Sequence, residues 1–155
     1  MFWIALGSSI GSAFWAITIG FRVGPRISRA IFRRAEAGAW RAAALASVIQ
    51  LGGVLLLAAA HGGSFALGRN GHDWAGVALV IVGMLACGPV FPGFVPKLNG
   101  AGLSAPYGNV RRRLEASGAS HAQARAAAWA AGPFALMGCA WTIISPISFL
   151  LLLNE

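Results

Sequence analysis

Residues Phe21–Arg41, FRVGPRISRAIFRRAEAGAWR, decide how this chain is read. Arg22, Arg26, Arg29, Arg33, Arg34 and Arg41 supply half of its cationic side chains, and an uncharged apolar run lies on either side. Gly24-Pro25 is the expected end of, or kink in, the helix that enters the stretch, because proline lacks a donor and disfavours helix in the residue before it. Beyond it Arg26, Arg29 and Arg33 recur at helical spacing, with Ile27 and Ile31 on a neighbouring face. That pattern predicts a short amphipathic helix lying in a membrane interface.

Outward from this stretch, residues 2–21, 42–60, 75–96 and 126–153 contain no Asp, Glu, Lys, Arg or His. Each approaches or exceeds the ~20 apolar residues that cross a bilayer. With 57% hydrophobic and 10% charged residues in 155 positions, too little chain is left over for a soluble module. The expected fold is an all-α integral membrane protein: one domain, 1–155, with four transmembrane helices at those four blocks. A second basic helix is expected in the third loop, where Ser104 suits its cap, Pro106 its first turn and Gly118 its stop. Ser120-His121-Ala122-Gln123 then matches a capping box, and Asp73 or Asn70 suits the cap of the third span.

Orientation follows from the distribution of Arg and Lys. The first loop holds the six arginines above, and the third is flanked by Lys97, Arg111, Arg112, Arg113 and Arg125. The second loop has Arg69 alone. Loops 1 and 3 are therefore expected in the cytoplasm and both termini outside, in a bacterial inner membrane. The tryptophans agree, with Trp3 and Trp74 at the outer interface and Trp40 and Trp129 at the inner. The first residues lack the cationic start of a signal peptide and read as a retained span. The net charge of +8 marks lipid-facing loops rather than a nucleic-acid surface, since the arginines adjoin apolar spans where anionic head groups attract them. Arg26, Arg29, Arg33, Arg34, Arg111, Arg112 and Arg113 are the candidate contacts to anionic lipid.

Within the spans the polar signals are sparse. Gly7-x-x-x-Gly11 puts small residues on one face for close helix approach, within the chain or with another subunit. Ala127, Ala131, Ala135 and Cys139 repeat that spacing in span 4, where Pro133 and Pro146 predict kinks. Gln50, the strongly polar side chain of span 2, should turn inward and find a partner. Span 3 ends in GPVFPGFVP, which cannot form a regular helix end, so freed backbone groups must be met by neighbours.

No motif demands a particular chemistry. The spans hold no ionisable residue of the kind a coupled transporter keeps and no histidine pair for haem. Met84, Cys87, Met137 and Cys139 are soft ligands near mid-membrane that suit Cu(I), against the plainer reading of packing residues. Their burial in spans speaks against a disulfide framework. His61, His72 and Asp73 form an outer polar group that would carry a lipid- or quinone-acting enzyme, if this is one. His61-Gly62-Gly63-Ser64 reads as the start of a flexible loop. No cofactor is required. The leading expectation is a non-catalytic accessory subunit packed in a larger membrane complex, respiratory or photosynthetic. A small transporter or copper carrier with a site at the broken end of span 3 is the alternative.

Overall fold

A computed structural model describes residues 2–36, 38–95 and 108–152. These form five α-helices and a 3-10 turn: α1 (Phe2–Ala35), α2 (Ala39–Arg69), α3 (Asp73–Cys87), the 3-10 turn Gly88–Val90, α4 (Gly108–Ala116) and α5 (His121–Leu152), with no strand among the described residues. Three segments are long and apolar enough to cross a membrane: Ala39–Arg69, Asp73–Val90 and His121–Ser145. That is the pattern of an integral membrane protein.

The first loop contains no separate interfacial helix. α1 runs unbroken for 34 residues through Pro25, about 51 Å at 1.5 Å per residue. Local propensity is overridden by packing, because the second half of α1 buries Ser28, Ile31, Phe32 and Ala35. Holding that face against the bundle keeps the chain helical past the proline, as neighbours do for membrane helices. The basic residues Arg26, Arg29, Arg33 and Arg34 lie on its exposed side.

The second loop is shorter than the sequence implies. His61-Gly62-Gly63-Ser64 continues α2, which extends to Arg69. Burial again explains the difference: Ser64 is buried, and a Cβ on Gly63 would come within 2.8 Å of Leu79. The reversal is confined to Asn70-Gly71-His72, with Gly71 at φ +76°. Neither Asn70 nor Asp73 caps α3. Asn70 ends α2, His72 precedes α3 without a side-chain cap, and Asp73 is the first helical residue, where its charge complements the helix dipole.

α3 regularity stops at Cys87, as the Pro/Gly run requires. The space beneath its end is filled by α4, whose Val110 and Leu114 are buried among Phe94, Ile31, Phe32 and the alanines of α5. Gly118, at φ +98°, closes α4, with Ala119 N–H donating to Leu114 O at 3.2 Å. The expected Ser104 cap and Pro106 lie outside the described residues. Ser120 and Gln123 make the reciprocal capping box: Gln123 N–H donates to Ser120 Oγ (3.3 Å), and Ser120 N–H to Gln123 Oε1 (2.9 Å). α5 then continues through Pro133 and Pro146. It packs most extensively on α2, through Ala127, Ala131 and Ala135, all fully buried.

Candidate functional site

The interrupted end of α3 is the most elaborated part of the molecule. After the 3-10 turn the chain bends through Phe91–Val95 and is gripped from three sides. From α1, Ala16, Gly20 and Gly24 present a small face. A Cβ on Gly20 would lie 2.6 Å from Pro92 Cγ and 2.8 Å from Pro89 O, and one on Gly24 would lie 3.2 Å from Gly93 Cα. Gly88 stands equally close to Ala16. From α2 and α5, Gly53 and Gly138 form a socket for Phe91, whose ring would clash with a Cβ at Gly138 (2.3 Å) and press tightly on one at Gly53 (3.1 Å). Phe91 is fully buried there.

The carbonyls freed by the break are met by side chains. Gln50, fully buried on α2, donates Nε2–H to Val90 O at 3.0 Å, as an amide in a span should. Its Oε1 has no hydrogen-bond partner among the described residues. From α4, Arg113 spreads its guanidinium over the next carbonyls. Nη1 donates to Pro92 O at 3.3 Å and Nη2 to Val95 O, while Nε reaches Asn109 O at 3.4 Å. The planar fork of arginine suits this double capture. No carboxylate lies within ion-pairing distance of Arg113 among the described residues, and burial pushes its pKa down from the usual arginine range. Beside it, a cavity of about 330 Å³ opens between α1 and α4.

The seven arginines read as lipid contacts thus divide. Arg26, Arg29, Arg33, Arg34 and Arg112 are exposed. Arg111 pairs with Glu115 (3.5 Å), which also meets His121 Nδ1 (2.9 Å). Arg113 turns inward.

The four soft ligands divide as well. Met84 and Cys87 are buried in one cluster against which Cys139 packs, whereas Met137 is 45% exposed on the outside of α5. No group of three or more His, Cys, Asp or Glu is placed to hold a metal ion among the described residues.

The outer polar residues are not one group. His61 lies eight residues before the end of α2, about 12 Å along the helix, while His72 and Asp73 sit exposed at the turn. His61 faces α5 instead. Its Nδ1 lies 2.8 Å from Leu57 O, its Nε2 bonds Ser145 Oγ, and its ring leans on Trp141 at 5.8 Å between centroids. A carbonyl only accepts, so Nδ1 donates to Leu57 O, and Nε2 shares the second bond with the Ser145 hydroxyl. A hydroxyl bonded to an oriented imidazole is the arrangement of an activated serine. Ser145 is only 1% exposed, however, and the pair acts here as a latch between α2 and α5.

Sequence reasoning missed Ser145 and Trp141 as partners of His61, the inward turn of Arg113, and the Ala16–Gly20–Gly24 face. The last was visible as small residues four apart, the same signal that marks Gly7 and Gly11. Among the described residues, a Cβ at either of those two would have nothing within 4 Å, so none of them covers that face. Comparison with protein-family models, curated proteins and solved structures found no match.

Proposed function

We propose that the chain is a non-catalytic membrane subunit that packs against a larger membrane complex through the outer face of the first half of α1. In this reading residues 2–21 form a fourth span. Both termini lie outside, and the arginine-rich end of the bundle faces the cytoplasm among anionic lipids. The observation that carries the proposal is the open Gly7–Gly11 face. Ile10 and Phe14, both exposed, lie on the same side of the helix. Small residues gain nothing against lipid, whereas they let a neighbouring backbone approach closely.

The interior supports a structural rather than a catalytic role. The larger core is alanine-rich, the break in α3 is plugged by Phe91 and held by Gln50 and Arg113, and Ser145 of the His61–Ser145 pair is buried. Mild-detergent purification at native expression tests the reading. The chain is expected to run with larger membrane subunits and to leave them when Gly7 and Gly11 are both replaced by Leu. A homogeneous protein that carries no other subunit would contradict it.

A further inference from the structure

We propose that the cavity between α1 and α4 holds the phosphodiester head of an anionic phospholipid, with Arg113 as its cationic floor. A half-buried guanidinium without a counter-charge is costly, because buried charges are ordinarily both paired and hydrogen-bonded. Among the described residues Arg113 has hydrogen bonds but only carbonyls as partners. Three of its five N–H groups are used in this way there, and two remain to meet an anion. Burial lowers its pKa from the usual arginine value, and an anion in the cavity would oppose that shift.

The walls select the form of the anion. Ser28 of α1 supplies a hydroxyl, the Ser117 hydroxyl being donated to Arg113 O at 2.9 Å, while Phe21, Pro25 and Leu114 give the cavity an apolar lining. A volume of about 330 Å³ accommodates a phosphodiester with part of its glycerol, whose carbons would cover that lining. Free phosphate would leave it bare. The cavity also sits where lipid heads belong, since Phe21 closes the uncharged run of α1 and the arginines begin at Arg22.

Arg113 also holds the bend after α3, so replacing it would confuse ligand binding with folding. Ala116 offers a cleaner probe: it is exposed, lines the cavity and makes no bond there. Ala116→Glu places a carboxylate beside Arg113, and Ala116→Gln matches it in size without the charge. Purified full-length protein in neutral detergent would be titrated with dihexanoyl phosphatidylglycerol, dihexanoyl phosphatidylcholine or inorganic phosphate, reading the unfolding temperature. The expected result is saturable protection by the glycerol lipid, weakened about tenfold by Ala116→Glu, as for loss of a charge-assisted hydrogen bond, and retained by Ala116→Gln. Equal protection by phosphatidylcholine, or an Ala116→Glu protein that responds like the wild type, would overturn the proposal. Protection by inorganic phosphate matching that of the anionic lipid would overturn the lipid assignment in favour of a free phosphoryl ligand. None of these outcomes depends on whether the Gly7–Gly11 face binds another subunit.

Discussion

Gly7 and Gly20 are the same residue on the same helix under opposite constraints. A methyl group at Gly20 would meet Pro92 Cγ at 2.6 Å and the backbone oxygen of Pro89 at 2.8 Å, and the proline-stiffened turn cannot move aside. Gly20→Ala should therefore cost about 1–3 kcal/mol, the usual penalty of overpacking. At Gly7 a methyl meets nothing within 4 Å, so Gly7→Ala should leave the isolated protein unchanged or stabilise it by up to about 1 kcal/mol through helix propensity. Thermal unfolding of the two variants in detergent checks the contrast. Spacing alone could not separate them, because small residues four apart mark both faces. Gln50 was more legible, since an amide in a hydrocarbon span has few options but to turn inward. Its acceptor, Val90 O, became identifiable only once the break in α3 was placed against α2. His61 is the converse case. Followed by two glycines, it looks like the start of a loop, and nothing nearby in sequence points to Ser145, 84 residues away.

At the scale of elements, turn chemistry was readable where it is local and misleading where packing intervenes. The capping box at Ser120–Gln123 and the glycine stop at Gly118 formed as their spacing implies. Gly24-Pro25 did not end α1, because the buried face that follows outweighs one lost backbone donor. Gln123 shows how a local motif acquires a long-range duty. Besides capping α5, its Nε2 donates to Glu36 O, the carbonyl of a non-glycine residue at φ 53° in the α1–α2 reversal. That one side chain thus ties the start of α5 to the turn between the first two helices. Gln123→Ala should cost about 1–2 kcal/mol, as for a lost cap or a buried hydrogen bond. Backbone amides around residues 35–42 should also lose hydrogen-exchange protection together with the first turn of α5. Loss confined to α5 would show that the Glu36 contact contributes nothing.

For the whole molecule, helical class and membrane character were written in the separation of charged from apolar blocks, because hydrocarbon enforces that separation directly. The length of α2 was not: it spans 31 residues, well beyond its hydrophobic block, because helices continue wherever neighbours bury them, whereas the early start of α5 followed from its capping box. The same logic frames the functional reading. Among the described residues, the small-residue faces at Ala16, Gly20 and Gly24 on α1 and at Ala127, Ala131 and Ala135 on α5 are occupied, whereas the Gly7–Gly11 face is open. The most direct test of whether that face is a docking surface is site-specific photocrosslinking in native membranes, with a diazirine analogue of leucine at Ile10 and, as a lipid-facing control, at Val82, both exposed. The account predicts a discrete adduct to a different membrane protein from position 10 and none from position 82. Lipid adducts alone at both positions, or an adduct with the mass of two copies of this chain, would contradict it.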